Sequence, residues 1–239
     1  MTTLAQRADD RPPYEQMAAE MRARIMAGDL LPGTQLPSTA HLVTEFGVSN
    51  TTVQKALAVL KAEGYLTSRQ GKGVYVRDRQ PFRVEVGAYF PPTPGGYSYE
   101  LLQVGEVPAP NEVAGALDIE AGDHVLLRRR LLRHGGRPVE IERSYYPLEL
   151  AGGTELAASQ RIPGGAHRVL ADLGYDLQHF VDAVSSRMPT SEEVDLLALP
   201  DVPVIRQFRV AFSHDDRPVE VSVLIKGSHL YELMYRMPA

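Results

Sequence analysis

The sequence predicts an α+β chain made of a small helical domain followed by a larger domain with an antiparallel β-sheet. Apolar residues recur every three or four positions up to about residue 63, whereas later segments alternate with a period of two. The 239 residues are also enough for two domains of ordinary size. We place these domains at residues 1–79 and 80–239.

Three helices are predicted in the first domain. The apolar face of the first helix consists of Tyr14, Met17, Ala18, Met21 and Ile25. This helix ends at Gly28. The second begins after Ser38 as N-cap and ends at Gly47, and the third begins after Ser49 and runs to about residue 63. Two helices joined through a glycine and a short turn are typical of a helix-turn-helix.

A hairpin follows these helices. Residues 65–69 and 74–77 alternate as strands, and the tip at 70–73 contains two glycines that permit positive φ. The hairpin completes a winged helix-turn-helix. Residues 78–81 form a polar linker, and residues 91–96 are too rich in Pro and Gly for a helix or a central strand.

The second domain contains a weak internal repeat. Residues 111–140 and 192–220 each read as helix, strand, turn and strand, and each ends in Arg-Pro-Val-Glu. We expect a duplicated antiparallel sheet with helices covering one face.

Charge is distributed unevenly between the domains. The net charge is -5, but residues 1–79 hold 10 basic and 8 acidic side chains, so the acidity lies in residues 80–239. Cysteine is absent, which excludes disulfides and thiolate metal sites. Residues 1–11 do not resemble a signal peptide, and no apolar run is long enough to span a bilayer. We expect a cytoplasmic protein without a membrane partner.

Two resemblances cover most of the chain. The first part of the chain contains motifs that include Leu36-Pro37-Ser38, Phe46-Gly47-Val48-Ser49 and Gly71-Lys72-Gly73. With these motifs, residues 14–77 resemble the GntR-type winged helix. The second part contains Gly136-Arg137-Pro138, Ser144-Tyr145-Tyr146-Pro147 and Arg217-Pro218-Val219-Glu220. With these motifs, residues 82–236 resemble the UTRA effector domain of the HutC subfamily, whose fold is chorismate-lyase-like. The resemblance implies a DNA-binding transcriptional regulator, typically a repressor, with a small-molecule effector.

The third helix offers a surface for reading double-stranded operator DNA. Family members often carry arginines at positions that here read Ala40, Asn50 and Gln54. Arginine pairs with guanine, whereas Asn and Gln pair with adenine, so we expect an operator richer in A·T. Thr51 offers a methyl group for thymine and Lys55 a cation. The alternative is an ordinary solvated helix face.

The hairpin tip places Lys72 between two glycines, where the backbone can approach a phosphate or the minor groove. The alternative is a plain turn with a solvated lysine. No nucleotide-binding P-loop is present, because its first glycine and final Ser/Thr are missing. With the resemblance, we predict DNA contacts from Ser38, Thr39, Ser49, Asn50, Thr51, Thr52, Gln54, Lys55, Arg69, Gln70, Gly71, Lys72 and Gly73.

Arg128 and Arg130 lie two positions apart on a predicted strand and therefore share one face. They suit an anionic effector, but exposed cations or ion pairs to Glu140 or Glu142 explain them equally well. Arg129 replaces either residue if the strand register slips by one. The resemblance adds as effector-site candidates Glu140, Ser144, Tyr145, Arg187, Arg209 and Glu220.

No pattern in the sequence predicts catalysis. The seven histidines are scattered without zinc-ligand spacing, and Gly-x-Ser-x-Gly is absent. We therefore predict no catalytic residue, metal or cofactor, although the fold leaves a lyase open. A second domain that only dimerises is another alternative. We expect a homodimer assembled through residues 82–236, because one winged helix makes few base contacts.

Overall fold

A computed structural model shows two compact units, residues 1–80 and 81–239. The residues that it describes are 9–78, 82–85, 97–200 and 202–236. Most of the predicted linker at 78–81, and all of the predicted loop at 91–96, lie outside the described residues.

The first unit contains the three predicted helices. They are α1 Pro13–Ala27, α2 Thr39–Phe46 and α3 Asn50–Ala62. The predicted caps are confirmed: the Ser38 side chain accepts the backbone N–H of His41, and that of Ser49 accepts the N–H of Thr52. Gly28 ends α1 with a φ of 86°, in the left-handed region that favours glycine.

The predicted hairpin follows the helices as β1 Leu66–Arg69 and β2 Gly73–Val76, paired antiparallel. A bridge between Gln35 and Tyr75 adds the loop before α2 to this small sheet. The core under the helices and hairpin is apolar and consists of Met17, Ala18, Met21, Leu36, Leu42, Val53, Ala56, Leu57, Leu60, Leu66 and Val76. Burial of Val53 leaves the polar side of α3 to the surface, as the periodicity predicts.

The strands of the second unit are β3 Phe82–Glu85, β4 Tyr97–Pro108, β5 His124–His134, β6 Arg137–Pro147, β7 His179–Arg187, β8 Val204–Phe212, β9 Pro218–Gly227 and β10 Tyr231–Met234. Six of them form an antiparallel sheet in the order β4-β5-β6-β9-β8-β7. A separate parallel pair joins β3 and β10. The helices are α4 Asn111–Leu117, α5 Leu148–Ala151, α6 Gly165–Asp172 and α7 Ser191–Leu197.

The predicted order of helix, strand, turn and strand is confirmed in both copies of the internal repeat, and a further strand precedes each helix. One copy is β4, α4, β5 and β6, and the other is β7, α7, β8 and β9. Because β6 pairs with β9, the two copies meet at the centre of the sheet in mirrored order.

The expectation that helices cover one face of the sheet is wrong, because helices pack on both faces. The repeat helices α4 and α7 cover the face that carries Val125 and Ile141. The segment between the two copies, with α5 and α6, has no counterpart in the repeat and packs on the opposite face against Leu126 and Tyr146. This segment covers part of a polar face and encloses a cavity there.

Candidate functional site

The start of α3 presents an exposed polar face. Asn50, Thr51, Gln54 and Lys55 are all exposed, on the side opposite the buried Val53. The Lys55 ammonium lies 5.8 Å from the centre of the Tyr14 ring, within the range of a weak cation–π contact. This is the placement that base reading by the N-terminal residues of a recognition helix requires.

Thr39, at the start of α2, contacts the same face. The Gln54 amide Nε2 donates to Thr39 Oγ1 at 3.2 Å, and this bond links the two helices of the helix-turn-helix. Ser38 and Ser49, also predicted as contacts, act as N-caps, and Thr52 bonds Ser49 Oγ through its hydroxyl at 2.9 Å.

The hairpin tip is held by side chains from both sides. The Lys72 carbonyl accepts Gln35 Nε2 at 2.7 Å and the Tyr75 hydroxyl at 3.1 Å. The Arg69 guanidinium lies 4.4 Å from the centre of the Tyr75 ring. The wing residues from Arg69 to Gly73 are exposed. The cationic side chains of Arg69 and Lys72 therefore lie at the surface of a turn whose backbone is held by hydrogen bonds. Sequence reasoning missed Gln35 and Tyr75, since only the bridge between them brings them to the tip.

Two pockets that share Tyr99, Arg130 and Ala166 lie on the polar face of the six-stranded sheet in the second unit, and together we call them the cavity. Its floor is formed by Arg130, Glu142, Arg209 and Glu220 from four adjacent strands. Its roof is the segment 161–167, which leads into α6. The cavity therefore needs both the repeat, which supplies the floor, and the inserted segment, which supplies the roof.

Arg128 is 1% exposed and is tied to the segment before the roof. Its guanidinium donates to the carbonyls of Leu156 at 2.6 Å, Ala158 at 2.7 Å and Gln160 at 2.9 Å. Arg128 still reaches the cavity wall, where its Nε makes no hydrogen bond to any residue the structure describes. Within the described part of the chain, its charge is balanced by the dipoles of these three backbone carbonyls.

Arg130 pairs with a buried carboxylate. Its Nη2 donates to Glu142 Oε1 at 2.6 Å and to Ser144 Oγ at 2.9 Å. Burial raises the pKa of Glu142, and the Arg130 charge opposes that rise. The Tyr99 ring lies between two cations, 5.8 Å from Arg130 and 5.4 Å from Arg161 of the roof.

The other end of the floor holds a second pair. The Arg209 guanidinium donates two hydrogen bonds of 2.8 Å to the Asp182 carboxylate. Glu220 faces His167 of the roof at 3.3 Å. Burial acts to raise the pKa of Glu220, but the adjacent His167 ring and the Ser222 hydroxyl, which donates to Glu220 Oε1, outweigh burial and hold the pKa at about 2.

Of the predicted effector-site residues, the structure brings Arg128, Arg130, Arg209 and Glu220 to the cavity. Ser144 lies behind Arg130, to which it is hydrogen-bonded.

Three predicted residues lie elsewhere. Tyr145 is in the apolar core on the opposite face. Glu140 is fully buried, and its Oε2 lies 3.4 Å from Lys226 Nζ. Arg187 pairs with Glu193, at 2.7 Å.

The cavity also contains residues that the sequence did not point to. Tyr146 occupies the place expected for Tyr145, because side chains alternate along a strand and the expectation was out by one position. For the same reason Arg129 points away from the cavity, and its Nη2 lies 2.7 Å from Glu192 Oε1. Glu142 follows from the pairing of β5 with β6, whereas Arg161 and His167 lie in an irregular segment without any pattern that would predict their position.

Metal sites and membrane-spanning helices are both absent from the described part of the chain. No cluster of three or more His, Asp or Glu side chains is arranged to hold a metal ion there. None of the helices found there has the length and apolar character needed to cross a membrane.

Comparison with known proteins agrees with the resemblance seen in the sequence. Residues 13–76 match the family model described as bacterial regulatory proteins, gntR family, and residues 95–231 match that of the UTRA domain. The chain belongs to the GntR family. The HTH-type transcriptional regulator SCO4628 of Streptomyces coelicolor is 31% identical, with 95% of this chain and 93% of that protein covered.

Two further similarities extend the comparison. The mannosyl-D-glycerate transport/metabolism system repressor MngR of Escherichia coli is 28% identical over 79% of this chain and 75% of its own. A crystal structure of a GntR-family transcriptional regulator superposes with a TM-score of 0.67 at 28% identity, covering 96% of this chain and 99% of that one. This GntR-family protein is therefore a transcriptional regulator with a UTRA effector-binding domain, and not an enzyme. Its HutC subfamily stays a prediction.

Proposed function

We propose that the protein is a homodimeric repressor whose affinity for operator DNA is controlled by a small anionic metabolite in the cavity. The observation that carries this proposal is the positive charge at the roof end of the cavity, which is the end lined by residues 161–166. Arg128, Arg130 and Arg161 line it together. Among the described residues, only Arg130 of these three lies in an ion pair.

The backbone at this end also favours an anion. Gly164 and Gly165 line it with φ values of 76° and 83° and begin α6. The first turn of a helix leaves N–H groups without partners inside the helix, and its dipole attracts negative charge. The rest of the domain is acidic and repels anions, so a cationic end within it suits a local role in attracting one.

Dimerisation and repression have separate support. Strand β7 is at one edge of the sheet and exposes Val181 and Val184, which suits pairing with a second copy. One relative, 28% identical, is named a repressor. Two linked winged helices suit a near-palindromic operator with half-sites about one helical turn apart.

The test uses Arg161→Gln, because Arg161 is exposed and its removal leaves the buried pairs intact. Operator DNA is first selected from a random pool, and phosphate, phosphorylated and carboxylated metabolites are then screened for a rise in melting temperature. We expect Arg161→Gln to weaken the best anion about 10-fold, the effect of one charge-assisted hydrogen bond. DNA affinity without the anion should stay unchanged in fluorescence anisotropy.

The matched control is Arg137→Gln, the same charge change at the exposed first residue of β6. It should leave the anion's affinity at the wild-type value. If no anion alters DNA binding, or if both variants bind it equally well, the cavity does not control the repressor and the second unit only dimerises.

A further inference from the structure

We propose that Gln35 is a positioning residue that holds the tip of the wing, residues 69–73, where Lys72 contacts DNA. The proposal rests on the proposed function, in that it takes the exposed wing as a surface that contacts operator DNA. It adds a residue that sets the affinity of the wing from outside the wing, in the loop before α2.

The tip of the wing is short and rich in glycine. Gly71 and Gly73 have φ values of 70° and 107°, in the left-handed region that favours glycine. Within the turn, the Lys72 N–H donates to the Arg69 carbonyl at 2.9 Å. Glycine loses more conformational freedom on ordering than any other residue. A tip without further support would have to be ordered when DNA binds, and that ordering would lower the affinity.

Gln35 supplies this support through its side chain. Its amide Nε2 donates to the Lys72 carbonyl at 2.7 Å. A carbonyl oxygen only accepts hydrogen bonds, so the nitrogen of the amide, and not its oxygen, faces the tip. The Tyr75 hydroxyl donates to the same carbonyl at 3.1 Å, so two side chains hold the backbone of the residue that carries the cation.

The backbone around Gln35 is itself fixed. Gln35 forms an antiparallel bridge with Tyr75, and the Leu36 N–H donates to the Val74 carbonyl at 2.8 Å. The loop before α2 therefore lies along β2 like a third strand. Ser38, which caps α2, follows directly after this loop. The bond from Gln35 thus ties the wing tip to the segment that enters the helix-turn-helix.

The glycine at position 73 allows Gln35 to come this close. A Cβ atom added at Gly73 would lie 3.0 Å from Gln35 Nε2, closer than an ordinary van der Waals contact. Gln35 and Lys72 are both exposed, and substitutions of exposed residues usually change global stability little. The bond therefore acts mainly on the local order of the tip.

The experiment compares the full-length wild type with Gln35→Met, Lys72→Ala and the double variant. Methionine keeps the length of the glutamine side chain but has no N–H to donate. The affinity for an operator selected from a random pool is measured by fluorescence anisotropy. The matched control is Gln103→Met, the same change at an exposed position of β4. Thermal unfolding checks that each variant is folded.

We expect Gln35→Met to weaken operator binding about threefold to tenfold, the equivalent of one net hydrogen bond. In the Lys72→Ala background, the same change should have less than about a twofold effect, because the tip then has no cation to position. The base preference should stay at that of the wild type, since no side chain of α3 changes. Gln103→Met should bind as the wild type does.

A second measurement follows the tip in the absence of DNA. Trypsin cleaves after Arg and Lys, so Arg69 and Lys72 are cleavage sites within the tip. Cleavage of a folded chain depends on local opening. Gln35→Met should therefore be cut at the tip about threefold faster or more, the factor expected for one lost hydrogen bond. Sites in the second unit should be cut at the wild-type rate.

The outcomes separate this proposal from the proposed function. An unchanged affinity in Gln35→Met, an equal loss in both backgrounds, or a tip cut at the wild-type rate overturns the positioning role of Gln35. If Lys72→Ala binds as well as the wild type, the wing makes no contact through Lys72, and the proposal fails while base reading by α3 stands. If the wild type selects no operator sequence, the proposed function fails with it.

Discussion

Replacing Arg130 with methionine should strongly destabilise the second unit, because it leaves Glu142 without its partner. Arg130 Nη2 lies 2.6 Å from Glu142 Oε1, and the side chains of Arg130 and Glu142 are only 12% and 13% exposed. Removing one partner of a buried pair costs about 3–5 kcal/mol, whereas an exposed pair contributes about 0–1 kcal/mol. We therefore expect a loss of about 3 kcal/mol or more in the free energy of unfolding.

The companion variant distinguishes a lost charge pair from poor packing. Arg130→Met combined with Glu142→Leu removes both charges, and it should recover most of the stability because the desolvation of both groups is also removed. The protein has no tryptophan, so urea unfolding is followed by circular dichroism. A loss below about 1 kcal/mol for Arg130→Met alone would show that the pair behaves as a surface pair, and would refute the reasoning.

The pH dependence gives a second check on the same variant. Burial raises the pKa of Glu142 above its ordinary 4.5 even with Arg130 present, and it should rise further without Arg130. Because the folded state then holds a proton that the unfolded state releases, stability falls as pH rises from about 4.5 through the raised pKa. The destabilisation of Arg130→Met should therefore be smaller at pH 5 than at pH 7, and an equal loss at both would contradict the burial of Glu142.

Two other predictions concern DNA binding and assembly. Lys72→Ala should weaken the affinity for all DNA sequences alike and lower the slope of log affinity against log salt by about one phosphate contact. The slope is measured by fluorescence anisotropy between about 50 and 200 mM salt. A changed base preference would argue against a phosphate contact. Val181→Lys with Val184→Lys should yield a monomer in sedimentation equilibrium and weaken operator binding about 100-fold, since avidity is lost. Leu31→Lys, at the similarly exposed Leu31 in the first unit, is the control, and a dimer that survives the Val181/Val184 change would place the interface elsewhere.

Local signals were sufficient for the first unit. The caps Ser38 and Ser49 and the glycines after each helix act within a few residues, so the helix bounds follow from the sequence to within about two positions. The wing follows from a change of period and two glycines. The tip of the wing is held by the hydrogen bonds of Gln35 and Tyr75 to the Lys72 carbonyl. These bonds depend on a bridge between residues distant in sequence, so no local signal predicts them.

The cavity was predictable only in part. Alternation places Arg128 and Arg130 on one face, which is correct, but the choice of Tyr145 over Tyr146 needed the strand register. The role of Arg128 as a tether for three carbonyls was not predictable, since its partners lie in an irregular segment about 30 residues later. The same segment supplies Arg161 and His167, so the roof could be found only from the structure.

The division of the cavity into floor and roof has a consequence for how such a regulator diverges. Floor residues are bound into the fold, since Arg130 and Arg209 each pair with a buried or half-buried carboxylate. Exposed roof residues such as Arg161 contribute little to the stability of the fold, so substitutions there change the free energy of unfolding only slightly. Under the proposed function, a duplicated gene can therefore change its effector by altering the roof while the sheet beneath stays the same. New specificity then arises without the loss of stability that usually limits new function.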